Sequence, residues 1–130
     1  METEIEVKVI PLPSFLKCKK KIWPRIPDAA IMRKVAEEFH RADSLGGGLY
    51  KVRIDMAGTG KRGGARVILC EMSDNAELLL LSAYPKAKQE NLTILQKRQL
   101  MTLVGELKET EGNHHGRKHI QRFKVRPRRG

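Results

Sequence analysis

Lys51 and Arg53 stand two apart in a run, Leu49 to Asp55, that alternates apolar Tyr50, Val52 and Ile54 with Lys51, Arg53 and Asp55. Residues two apart on a strand project to the same side, so the two cations share a face. Arg66 lies near the start of a second apolar run, Ala65 to Met72, which should pair with the first. If Lys51 and Arg53 lie off the helix-packed face, the three cations converge on one patch. Like charges brought together repel unless an anion sits between them, and a phosphodiester is the natural occupant. The same residues also fit a solvated strand face bearing unrelated charges, and residue type alone leaves both readings open. Lys86 and Lys88, after a third apolar run, stand where they would add to the rim.

The loop Gly58-Thr59-Gly60-Lys61-Arg62-Gly63-Gly64 formally contains the G-x-G-x-x-G dinucleotide fingerprint. That fingerprint needs a strand before it and a helix after it. Here a strand follows, so no helix N-terminus is present to hold a pyrophosphate, and the reading is rejected. No glycine stands five residues before Gly60, which also excludes a phosphate-binding Walker loop. Two readings stay open: a hairpin loop tipped by two cations, or a mobile basic loop whose Lys61 and Arg62 meet a phosphate backbone. The histidines decide little, with His40 on a helix and His114, His115 and His119 near the C-terminus. Cys18 and Cys70 match no metal spacing and read as small core residues. Neither a Ser/His/Asp set nor paired carboxylates can be argued, so any catalysis rests mainly on Lys and Arg.

The elements that must position these cations follow from periodicity. Thr3 to Ile10 alternates Ile5, Val7 and Val9 with Glu4, Glu6 and Lys8, as a half-buried strand does, and Pro11 and Pro13 end it. Ser14 is expected to cap a short basic helix reaching Ile22, with Phe15, Cys18 and Ile22 on one face. Asp28 reads as the N-cap of a second helix, whose Ile31, Val35, Phe39 and Ala42 recur at helical spacing. Gly46-Gly47-Gly48 reads as a flexible joint. Strands are expected over 49–55, 65–72 and 77–84, and the Leu78–Leu81 run implies burial on both faces of the last. Thr93 and Gln96 form a capping box for a closing helix that carries Leu100, Leu103, Val104 and Leu107. The order β-α-α-β-β-β-α, with a meander of three strands, implies an α+β domain: an antiparallel sheet with helices packed on one face.

Bulk composition limits the partners. One domain is what 130 residues supply. The net charge is +11. Seven of the 26 Lys and Arg fall between Gly112 and Gly130, a stretch without acids, so the remaining 19 face all 15 acids and the body carries about +4. Residues 1–111 are therefore expected to fold, and 112–130 to form a basic tail without regular structure. A basic balance favours anionic partners, nucleic acid foremost. No apolar run suggests a membrane partner, the acidic start Met1-Glu2-Thr3-Glu4 is unlike a secretory signal, and a cytoplasmic location is expected.

Leu45-Gly46-Gly47-Gly48-Leu49-Tyr50-Lys51-Val52-Arg53-Ile54, followed by Gly58-Thr59-Gly60-Lys61-Arg62-Gly63-Gly64-Ala65-Arg66-Val67, resembles the RelE/HigB toxins, whose usual form is close to GGLxKxRxxxxGxGKxGGxR. Tyr84-Pro85-Lys86 and Glu90-Asn91-Leu92-Thr93 are similar to that family's YxKNExxNLT segment. The likeness is closest over 45–107, extends in outline over 1–44, and stops near 111.

The resemblance implies a RelE-like α+β fold and a toxin of a type II toxin–antitoxin system. It also implies a ribosome-dependent messenger-RNA endoribonuclease with a cognate HigA/RelB-like antitoxin as partner. The ribosome and mRNA would be its other partners. Cleavage would use the RNA's own 2′-oxygen, with no metal and no small-molecule cofactor. By position, Lys51 and Arg53 fall on the family's basic strand positions, Arg66 on its phosphate-stabilising arginine, and Lys86 on the lysine after the last strand. Lys61, Arg62, Lys88 and Tyr84 are expected to contact RNA. A lysine acting as base needs its pKa lowered towards neutrality, as neighbouring cations do. Ala87-Lys88 replaces the usual Asn-Glu, which leaves the general acid unassigned, with Tyr84 and Lys88 as candidates. Two alternatives are a protein-binding toxin of the same fold, like the ParE branch acting on DNA gyrase, and an inactive relative that binds RNA or antitoxin.

Overall fold

The structure is a computed structural model and describes residues 4–56, 64–72, 77–89, 91–109 and 120–126. Strand β1 (Ile5–Pro11) leads through helices α1 (Pro13–Ile22) and α2 (Asp28–Glu38) and a single 3₁₀ turn (Phe39–Arg41). Strands β2 (Asp43–Gly46), β3 (Leu49–Ile54), β4 (Ala65–Met72) and β5 (Glu77–Pro85) follow, then helix α3 (Ile94–Glu109) and strand β6 (Gln121–Val125). The six strands form one sheet in the order β2-β3-β4-β5-β1-β6. No helix of the described residues is long and apolar enough to cross a membrane.

The α+β class holds and every expected element is present, with an unexpected strand, β2, between α2 and β3 and four further differences. First, β1 lies parallel to β5, so the sheet is mixed rather than antiparallel. Two helices intervene between β1 and the meander, which is the crossover a parallel pair requires. Second, the helices do not share one face. α1 and α2 cover a cluster that includes Val9, Phe15, Trp23, Ile31, Val67 and Leu80. α3 covers the opposite cluster, through Leu100, Leu103, Val104 and Leu107 over Leu49, Ile68, Cys70 and Leu81. The doubly buried run Leu78–Leu81 already demanded cover on both sides.

Third, Gly46-Gly47-Gly48 is a tight turn rather than a joint. All three have positive φ, at 86°, 63° and 85°, and they reverse the chain between β2 and β3. A Cβ on Gly47 would run into the terminal methyl of Met101 on α3. Gly47→Ala is therefore expected to cost about 1–2 kcal/mol from left-handed backbone strain alone. Urea unfolding checks this, and a midpoint equal to wild type would contradict it.

Fourth, the C-terminal stretch is not wholly without regular structure. Gln121–Val125 pairs antiparallel with β1, Phe123 opposite Val7 and Val125 opposite Ile5. Phe123 and Val125 are buried, and the Arg33 guanidinium lies 5.0 Å from the centre of the Phe123 ring. Two apolar residues among cations make a weak periodic signal, and the partner strand is more than a hundred residues away. The alternating Arg122 and Lys124 suit an edge strand, where charge discourages pairing with other chains. The fold thus reaches past the expected boundary at 111.

Local end signals were met unevenly. The capping box forms in full: Gln96 N–H donates to Thr93 Oγ1 at 3.1 Å and Thr93 N–H donates to Gln96 Oε1 at 3.0 Å. Ser14 and Asp28 do not cap. α1 starts at Pro13, and Ser14 Oγ donates to the Leu81 carbonyl at 2.6 Å. Asp28 is the first residue of α2, and its carboxylate meets Lys19 Nζ at 2.8 Å, giving that buried ammonium an anion.

Candidate functional site

Three strands outrun their neighbours at one end of the sheet. β2 follows β3 only as far as Lys51, opposite Asp43. β1 follows β5 only as far as Leu80, opposite Pro11. Beyond those points β3, β4 and β5 continue as a three-stranded end, and its ladder places Arg53, Arg66 and Tyr84 side by side. Neighbouring strands are about 4.8 Å apart, so this row spans roughly 10 Å. Lys51 lies two residues back from Arg53, opposite Ile68.

Alternation decides the face. Val67 and Ala83 point into the cluster under α1 and α2, whereas Ile68 and Tyr84 belong to the cluster under α3. Arg66 therefore shares the second face with Tyr84, and Arg53 and Lys51 join it across β3. A bulge in the β4–β5 pairing, between Ile68 and Leu69, makes this possible. It shifts the parity of β5, so that Leu79, Leu81 and Tyr84 share a cluster despite their spacing.

The cations differ in their surroundings. Arg66, on the central strand, is 7% exposed, as is Tyr84. Arg53 is exposed, and its Nε lies 3.2 Å from Asp55 Oδ2. Lys51 Nζ donates to Asn91 Oδ1 at 2.8 Å. The loop that leads into α3 thus fixes the lysine from above the sheet. The capping box and the Gln89 amide, which donates to the Asn91 carbonyl at 2.8 Å, hold that loop in turn.

A cleft of about 500 Å³ opens at the free edge of β3. Lys51, Arg53 and Arg66 line it together with Lys34 and Arg41, so five cations face the three acids Glu38, Asp43 and Asp55. That excess favours an anionic occupant. A guanidinium presents a planar fork of donors that matches two oxygens of a phosphate, and two such groups side by side can hold one phosphoryl centre.

Lys51, Arg53, Arg66 and Tyr84 are thus brought together. Lys86 and Lys88 are exposed in the turn after β5, at the same end of the sheet. The Lys86 N–H donates to the Gly64 carbonyl at 3.2 Å, tying this turn to the start of β4. Lys61 and Arg62 lie outside the described residues. Sequence reasoning gave no role to Asn91, Lys34 or Arg41. Asn91 sits in the segment quoted for the family resemblance, but nothing local links it to a lysine 40 residues earlier. Lys34 and Arg41 read as solvated helix positions, which α2 brings to the edge of β3.

A family model described as the RelE toxin of the RelE/RelB toxin–antitoxin system matches residues 8–118. This span contains the whole row, the cleft and the loop that fixes Lys51. With a mixed sheet flanked by three helices and a cationic row at its open end, the chain belongs to the RelE family of toxins of toxin–antitoxin systems.

Proposed function

We propose that this toxin is an endoribonuclease that cuts messenger RNA in the ribosome, through attack by the RNA's own 2′-oxygen. The observation that carries the reading is the Arg53–Arg66–Tyr84 row with Lys51 beside it. Lys51 takes the proton of the 2′-hydroxyl, and the oxygen attacks the adjacent phosphorus. Arg53 and Arg66 hold the non-bridging oxygens as negative charge grows, an effect that is often the largest in catalysis. The bond from phosphorus to the 5′-oxygen breaks. Tyr84, next to Arg66 in the ladder, gives that oxygen its proton. The products are a 2′,3′-cyclic phosphate and a free 5′-hydroxyl. Lys86 and Lys88, with Lys61 and Arg62, bind the flanking backbone.

End-group analysis of cleaved message in the presence of EDTA tests this chemistry. Cyclic phosphate ends formed at an undiminished rate are expected. Ends bearing a 3′-hydroxyl and a 5′-phosphate, or dependence on a divalent ion, would contradict it.

Asn91 acts as a positioning residue through Lys51. Asn91→Ala removes the bond that holds the Lys51 amine in place, so cleavage is expected to slow about tenfold. An unchanged rate would show that Asn91 does not position Lys51. The cognate antitoxin is proposed to silence the toxin by placing acidic side chains in the five-cation cleft, whose charge they complement.

A further inference from the structure

The second open edge of the three-stranded end has no part in the chemistry above. β1 leaves β5 after Leu80, and the chain turns into α1 at Pro13. Beside Ser82–Tyr84, past the end of the β1 pairing, lies a crevice of about 340 Å³ between α1 and α3. Tyr84, Leu92 and Leu100 give it apolar walls, and Ser82, Gln96 and Gln99 give it polar groups.

The Gln96 amide is oriented by its neighbours. Its oxygen accepts the Thr93 N–H at 3.0 Å and the Gln89 side-chain amide at 3.1 Å. The oxygen is therefore committed to the helix terminus. Among the described residues no hydrogen bond occupies the NH₂ group, whose two donors are the end of the side chain open to a ligand. The Gln99 amide, one helical turn further on, adds a donor and an acceptor, and the Ser82 hydroxyl, 3.8 Å from Cys18 Sγ, can serve as either. Apolar walls with a few fixed polar groups at the rim suit a flat heteroaromatic ring, whose faces are apolar and whose edge carries donors and acceptors.

The position of the crevice identifies the ring. Tyr84 lines it and is also the cross-strand neighbour of Arg66, about 5 Å away. One sugar separates a nucleotide's base from its phosphate, so a base in the crevice leaves its phosphate over the Arg66–Tyr84 end of the row. We infer that the crevice between α1, β5 and α3 is a nucleobase subsite. It selects the base beside the scissile phosphate through the Gln96, Gln99 and Ser82 side chains. RNA then crosses the three strands from the five-cation cleft on one edge to the base crevice on the other. This inference rests on the RNA-cleavage reading.

The test measures cleavage rates of full-length protein in a purified translation system. The messages carry each of the four bases at the positions flanking the cut. Gln99→Ala and Ser82→Ala are the variants. Gln99 is exposed and Ser82→Ala removes one atom, whereas Gln96 is left intact because it caps α3. Thermal melting confirms that both fold. At one flanking position, the ratio between the best and worst base is expected to fall about five- to tenfold, the effect of losing one hydrogen bond. Variants that keep the wild-type base profile, at full or uniformly lowered rate, would overturn the subsite and leave the cleavage reading standing. No cleavage by folded wild type would overturn both.

Discussion

Arg66→Ala is expected to lower message cleavage about 10²- to 10³-fold, the usual loss when a donor aimed at developing charge is removed. The side chain is central in the row, flanked by Arg53 on one strand and Tyr84 on the other, and is 7% exposed. The neighbouring cations Arg53 and Lys51 stand on β3 and engage Asp55 and Asn91. Arg66→Lys should recover only part of the loss, since an ammonium keeps the charge but not the planar fork. Single-turnover rates check both variants. A loss below about threefold for the alanine variant would mean that the phosphate lies elsewhere, contrary to the charge-stabilising role.

Phe123→Ala is expected to destabilise the fold by about 3–5 kcal/mol, the range for emptying a buried aromatic site. Phe123 is 6% exposed, sits opposite Val7 on β1 and carries the Arg33 contact. Small domains have only about 5–15 kcal/mol in total. Removal of residues 112–130 should therefore leave the chain largely unfolded, because Val125 and the whole β6 pairing are lost as well. β1 would then become an uncovered edge with Val7 and Val9 behind it. Urea denaturation followed by circular dichroism measures both. A truncated chain with wild-type stability would show that the C-terminal stretch is only a basic appendage, whose effect lies in salt-dependent RNA affinity.

The central strands and the cations of the row are readable because their periodicity is local. Lys51 and Arg53 alternate with Val52 and Ile54 within six residues, and Arg66 opens a run with matching β character. The apolar run of β5 announces two covered faces, which conflicts with packing every helix on one face. Nothing in the amphipathic pattern of α3 says which side of the sheet it meets. Long-range pairing was the other blind spot. β6 has two inward residues, and its partner lies at the far end of the chain. β2 is four residues long, ends in the glycine turn and has no inward apolar run.

The site was legible only in part for the same reason. Alternation could place Arg53 and Arg66 on a common face. It could not show that the β4–β5 bulge brings Tyr84 to that face, or that the loop before α3 returns Asn91 to Lys51. Both depend on chain segments that meet only after the sheet has formed. Ser14 and Asp28 illustrate the converse. Each has the residue type of a helix cap, but tertiary partners, the Leu81 carbonyl and the Lys19 ammonium, claim the side chains instead.

The most direct test of the central claim is cleavage of a defined message by the purified protein, with ribosomes and without them. Cuts within the translated frame are expected when ribosomes are present, with far slower cutting of the same RNA when free. An intact message from folded protein on translating ribosomes would contradict it, and loss of DNA gyrase activity under the same conditions would turn the same fold into a protein-binding toxin.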